Sequence, residues 1–126
     1  MIQVVWQYQV KEESRSKFEL AYGPGGAWSE LFANCPGFRG TVLLRDTKDL
    51  RRYLTVDSWD TEVQRAAMLA EHADEYSALD AAFREWTIHE AEVGVYRILA
   101  EAMVRPSIST RRSKPASRRR GSRGSR

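Results

Sequence analysis

Residues 2–10, IQVVWQYQV, alternate with a period of two. Ile2, Val4, Trp6, Tyr8 and Val10 share one face, and Gln3, Val5, Gln7 and Gln9 share the other. Successive side chains of an extended chain point to opposite faces, so β-branched and aromatic residues at this period make a strand with one apolar and one more polar face. Phe38–Arg45 and Arg52–Trp59 read as two further strands, joined as a hairpin by the polar turn Asp46-Thr47-Lys48-Asp49. A last strand is expected over residues 87–99, with Ile88, Glu90, Glu92 and Gly94 opposite His89, Ala91, Val93 and Val95.

Between the strands the period changes. Phe18, Ala21 and Tyr22 fall at helical spacing, with Lys11, Glu12, Glu13, Arg15 and Lys17 mostly on the solvent side. Gly23-Pro24-Gly25-Gly26 interrupts this helix, which resumes with Trp28, Leu31 and Phe32 and stops at Cys35-Pro36-Gly37. The glycine run lacks the Lys-Ser/Thr of a phosphate loop and follows a helix instead of a strand, so it reads as a break between helix pieces. A second helix runs from Asp60, its expected N-cap, through the capping-box pattern Thr61-x-x-Gln64 to Trp86, with a bend near residues 70–72.

The order β-α-β-β-α-β specifies an α+β, ferredoxin-like fold: a four-stranded antiparallel sheet with both helices on one face. The other face is left uncovered. The reading gives it Trp, Tyr, Leu and Val side chains and predicts a homodimer that covers them.

Charge divides the chain in two. Of its 126 residues, 1–104 carry 11 Lys/Arg against 17 Asp/Glu, whereas 105–126 carry 9 Lys/Arg and no acid. The net charge of +3 therefore hides an acidic body and a basic tail. The tail, RPSISTRRSKPASRRRGSRGSR, has almost nothing apolar to bury and reads as disordered. Its arginines leave room for weak polyanion binding, but no aromatic residue interleaves them to stack on bases. The expected organisation is thus a domain over 1–104 and a disordered tail over 105–126. No apolar run is long enough to span a bilayer, and no secretory signal pattern is seen. One cysteine, Cys35, excludes an internal disulfide framework, and a cytoplasmic setting fits best.

Three motifs in order carry a family resemblance. Cys35-Pro36-Gly37-Phe38-Arg39-Gly40 resembles the "PGF-x-G" entry into the second strand of the antibiotic biosynthesis monooxygenase domain. Arg52-Tyr53-Leu54-Thr55-Val56-Asp57-Ser58-Trp59 is similar to its third strand, which ends in tryptophan. Glu71-His72-Ala73-Asp74-Glu75-Tyr76 is similar to its "H-x-x-x-Y" helix segment, and Trp28 also matches. The resemblance covers about residues 2–99. It implies a dimeric α/β barrel with a pocket in each subunit between helices and sheet. It also implies either cofactor-independent oxidation of polyphenolic compounds by dioxygen or haem chemistry.

Candidate site residues follow. Catalytic candidates are His72, Tyr76 and Trp59; candidates for binding substrate are Trp28, Phe32, Asn34 and Arg39. The resemblance puts Trp59 beside a planar aromatic or haem; as a plain core residue it would anchor the strand–helix corner. On a continuous helix, His72 lies one turn from Tyr76, where its imidazole could accept a phenolic proton or ligate haem iron. Alternatively it is a half-exposed histidine among Glu71, Asp74 and Glu75. Tyr76 could hydrogen-bond a substrate oxygen, and Arg39 or Arg45 could stabilise a phenolate. Asn34 is either a polar pocket residue or part of a helix C-terminus. Family members that degrade haem pair their histidine with a first-strand asparagine; this strand has only glutamines. The expected function is a monooxygenase that needs no cofactor, acting on an aromatic or polyketide-like molecule. A haem-binding member and a non-enzymatic dimeric ligand-binding module are the alternatives. No metal site is expected, since His72 and His89 are far apart in sequence.

Overall fold

The alternating segments form one antiparallel sheet, and its burial pattern shows which face the helices take. The computed structural model describes residues 1–104; the basic tail lies outside the described residues. In chain order the elements are β1 (Ile2–Val10), a 3-10 turn (Glu12–Ser14), α1 (Arg15–Tyr22), α2 (Ala27–Ala33), β2 (Phe38–Arg45) and β3 (Arg52–Trp59). Then follow α3 (Glu62–Glu71), α4 (Ala73–Phe83), a 3-10 turn (Arg84–Trp86) and β4 (Thr87–Arg97). The strand order is β2-β3-β1-β4, with every pairing antiparallel. This is the ferredoxin-like arrangement expected from the element order.

The helices cover the face that carries Ile2, Val4, Trp6, Tyr8 and Val10. Their β3 neighbours there are Tyr53, Thr55, Asp57 and Trp59. Two buried clusters result. One gathers Ile2, Val4, Phe32, Cys35, Trp59 and Met68. The other gathers Tyr8, Val10, Phe18, Tyr22 and Tyr53. Trp6 and Trp28 pack against both, so the seam between the clusters is aromatic on floor and roof. Phe18, Tyr53 and Trp59 are almost wholly buried, each contributing on the order of 2–3 kcal/mol.

The uncovered face carries Val5, Val42, Leu44, Leu54, Val56 and Tyr96 but no tryptophan, which corrects one expectation. Trp6 and Tyr8 lie on the more apolar face of β1, and that is the face the helices bury. The alternation expected in β4 is also corrected. A bulge opposite Val5/Trp6 inserts one residue, which sends Val95 to the helix face with Glu92 and Glu90 and leaves Gly94, Ala91 and His89 on the open face.

Thr61, not Asp60, caps α3: its Oγ1 accepts from the Gln64 N–H at 3.1 Å. Asp60 instead takes a two-pronged ion pair from Arg39, at 2.7 and 2.8 Å. The expected bend is real. His72 has φ −118° and ψ 32°, ends α3 and begins α4. Among the described residues no helix is long and apolar enough to cross a membrane.

The turn into β2 depends on Gly37. Its φ is +88°, a Cβ there would collide with the Gln64 side chain, and its carbonyl accepts from the Asp60 N–H at 2.8 Å. Gly25 also has positive φ, +83°, but open space around it. We predict that Gly37→Ala lowers stability by about 2–3 kcal/mol, because strain and collision add, whereas Gly25→Ala costs about 1 kcal/mol. Urea unfolding of the two variants checks the difference.

Candidate active site

At the seam between the two clusters lie two small, partly open spaces. One is about 40 Å³, lined by Trp6, Tyr22, Trp28, Phe32, Thr55, Asp57 and Tyr76. The other is about 20 Å³ and shares Trp6, Phe32, Asp57 and Tyr76, adding Trp59 and Arg65 among others. Asp57 is the one carboxylate that lines both.

Sheet register delivers it there. Asp57 lies between Val4 of β1 and Thr41 of β2, on the helix-covered face. Thr41 reaches it only because β2 bulges. Phe38 pairs with Trp59 and Thr41 with Asp57, so two residues three apart face the same way, and the extra residue is absorbed around Arg39 and Gly40. A regular strand would turn Thr41 to the opposite face. The Thr41 hydroxyl donates to Asp57 Oδ1.

The aromatic walls interlock. The Trp28 and Tyr76 rings meet edge to face, with centroids 4.8 Å apart. Trp28 also packs on Phe32 at 5.9 Å and Tyr22 at 6.0 Å, and Phe32 meets Trp59 at 5.6 Å. The Trp28 indole N–H is buried without a hydrogen-bond partner, although the Tyr22 hydroxyl lies close by. An unsatisfied buried donor costs about 1–3 kcal/mol and is available to a ligand acceptor.

Burial pushes the Asp57 carboxyl up to about 6, against the opposing pull of the Thr41 hydrogen bond and the Arg65 charge. Arg65 is partly engaged elsewhere, 3.4 Å from Glu92 Oε1 on β4. Burial likewise raises the Tyr76 and Tyr22 phenols and the Glu90 carboxyl. The arrangement is an acid–base group near neutrality inside an aromatic shell, with tyrosines that stay protonated and can donate.

The family model for antibiotic biosynthesis monooxygenases matches residues 1–86. The chain belongs to that family. Comparison with curated proteins finds no match. Among solved structures, the chain is similar to SnoaB, described as a cofactor-independent oxygenase from Streptomyces nogalater. They share 21% identity over 79% of this chain and 94% of that one, with a TM-score of 0.64. It is also similar to a mutant of MhuD with two manganese protoporphyrin IX molecules bound per active site, at 20% identity over 82% of this chain and 100% of that one, TM-score 0.63. A conserved protein from Methanosarcina mazei Go1 shares 17% identity over 76% and 90% of the two chains, TM-score 0.62. These likenesses show the fold that the family members share.

Within this monooxygenase-family fold, the residues singled out in the sequence separate into two groups. Trp28, Phe32, Trp59 and Tyr76 converge on the aromatic shell. His72, Asn34 and Arg39 line neither space. His72 Nδ1 lies 3.3 Å from Glu75 Oε2 at the helix junction. Asn34 is exposed at the end of α2, and Arg39 is exposed in its pair with Asp60. His89 pairs with Gln9 on the open sheet face. Cys35 is buried, which raises its thiol, and its S–H points to the Leu31 carbonyl at 3.6 Å. Among the described residues no group of three His, Cys, Asp or Glu could hold a metal ion.

Sequence reasoning passed over Asp57, Thr41, Trp6 and Arg65. The signal for Asp57 was present: an acid at an inward position of a strand, flanked at i−2 and i+2 by Thr55 and Trp59.

A carboxyl raised from its ordinary 3.8 to about 6 binds more protons folded than unfolded. Stability therefore falls as pH rises from about 4 to 6 and stays lower above. Asp57→Asn should raise stability at pH 7.5 by about 1–3 kcal/mol, with the gain shrinking as pH falls from about 6 to 4 and gone below that. Urea unfolding across pH checks the sign.

Proposed function

We propose that this chain is a cofactor-independent monooxygenase that oxidises a small, electron-rich aromatic compound, polyketide-like in character, with dioxygen, and that it works as a homodimer. The observation that carries the reading is one half-buried carboxylate, Asp57, among Trp6, Tyr22, Trp28, Phe32, Trp59 and Tyr76. Family membership and the likeness to SnoaB support it.

The chemistry balances without an outside reductant. A substrate CH₂ flanked by hydroxylated rings becomes C=O; one oxygen atom enters the carbonyl and the other leaves as water with the two hydrogens. All four electrons come from the substrate. Removing a proton first makes the substrate electron-rich enough to pass electrons to dioxygen, and aromatic walls exclude water from the anion. In this reading Trp59, Phe32 and Tyr76 belong to the aromatic shell that surrounds Asp57. His72 has no step, because it lines neither space beside Asp57 and sits against Glu75 at the helix junction. For the same reason the described residues offer no histidine ligand for haem within the shell, and no step is derived through haem.

The homodimer reading rests on the uncovered sheet face, where Val42 is 52% exposed, Leu44 46% and Tyr96 51%. A second copy would bury these side chains across a two-fold axis.

Oxygen uptake with hydroxylated anthrones, which carry such a CH₂, in the presence of a chelator and no added cofactor, tests the activity. Saturable uptake is expected. Asp57→Asn should lower kcat/KM about 100-fold or more, as loss of a proton acceptor does, and His72→Phe should leave it within about 2-fold. Turnover that appears only with haem, or that His72→Phe abolishes, contradicts the reading. Light scattering should give a dimer for the wild type and a monomer for Leu44→Lys/Val56→Lys; a wild-type monomer contradicts the assembly.

A further inference from the structure

The spaces beside Asp57 are too small for an aromatic ring, since a pocket for a ligand of that size measures about 300 Å³ or more. A larger, open groove lies beyond Thr41 and shares no lining residue with them. Between α2 and the edge strand β2 lies a cleft of about 360 Å³, lined by Pro24, Gly25, Ser29, Ala33, Phe38 and Thr41 among others. Its walls are small or apolar, and its one acid is Glu30. Thr41 belongs to both worlds: it lines this cleft, and its hydroxyl donates to the half-buried Asp57.

We propose that Thr41 and Asp57 form a two-member proton relay whose outer end faces the α2/β2 cleft, where a planar phenol docks. The proposal rests on the oxygenase reading and supplies the path to its base. A hydroxyl has one proton to donate and two lone pairs to accept, so Thr41 can hold Asp57 on one side and a substrate O–H on the other. The substrate proton passes to Thr41 Oγ1 as the Thr41 proton passes to Asp57 Oδ1. The products are a substrate oxyanion, an unchanged threonine and an Asp57 carboxylic acid. No electron moves in this step.

Three features favour a relay over a simple cross-strand tie. The β2 bulge is what aims Thr41 inward, and bulges re-aim side chains next to active sites. Asp57 makes no ion pair among the described residues, so its burial is uncompensated except by Thr41 and the more distant Arg65. Its surroundings also keep it able to accept a proton near neutral pH. Arg65 on α3 favours the charged form. Glu92 and Glu90 on β4, Tyr8 on β1, Tyr22 on α1 and Tyr76 on α4 line the same region, with Glu92 held by Arg65.

The test uses 2-naphthol, a planar phenol, with the isotope-labelled full chain. Amide NMR should show shifts at Gly25, Gly40 and Thr41. Carboxyl-carbon NMR should show the Asp57 titration midpoint falling by about half a pH unit or more on binding, because a donor chain ending on the carboxylate favours its charged form. Thr41→Ser should behave like the wild type. In Thr41→Val, naphthol should still shift Gly25 and Gly40, but the Asp57 midpoint should no longer respond to it. An equal response in Thr41→Val overturns the relay, as does cleft binding that leaves wild-type Asp57 unmoved. Absence of cleft shifts overturns the docking site and the relay with it. Oxygen uptake, measured independently, then decides whether the oxygenase reading also fails.

Discussion

The hydrogen bond from Thr41 to Asp57 is the contact on which the site depends. Asp57 stands half-buried in the middle of the sheet, on the face that the helices cover, where a carboxylate loses part of its hydration. A strand position of that kind ordinarily holds an apolar residue. Here the neighbouring strand bulges so that a threonine, not a leucine or valine, meets the acid. The rest of the seam surrounds that group: aromatic rings from both clusters line the spaces beside it, and Arg65 is close enough to temper its charge without forming a salt bridge.

Such a group works against stability. Most of the chain is built in the opposite sense, with Phe18, Tyr53 and Trp59 almost fully enclosed and tight turns fixed by Gly37 and the Thr61 cap. A fold that keeps a costly acid at its centre, beside an unsatisfied Trp28 N–H, resembles the usual compromise between stability and function. The polar residues at the seam are few, and each has a distinct capability: Asp57 to accept a proton, Tyr76 and Trp28 to donate hydrogen bonds.

Much of this architecture was legible from residue order. The alternation of β1 and the exact bounds of β2 and β3 follow from period-two patterning, because the register of a half-buried sheet is strongly specified by its apolar face. The bend at His72 was visible in the break of helical spacing. Bulges were not visible. They insert a residue without changing composition, so the facing of Val95 and of Thr41 could be learned only from pairing across strands. The site was half legible for the same reason. Trp28, Phe32, Trp59 and Tyr76 announce themselves as large aromatics at inward positions. Asp57 lay inside a motif valued for its terminal tryptophan, and His72 drew notice through chemistry that its pairing with Glu75 redirects.

The central claim is that Asp57 is a half-buried, weakly compensated carboxylic acid able to change its protonation near neutral pH. Carboxyl-carbon NMR of the ligand-free full chain, followed from pH 3 to pH 8 with Asp57→Asn to assign the resonance, measures this directly. The account predicts a midpoint of about 6 for Asp57. A midpoint at or below the ordinary 3.8 would mean that the charge is well solvated or firmly paired, and would contradict it.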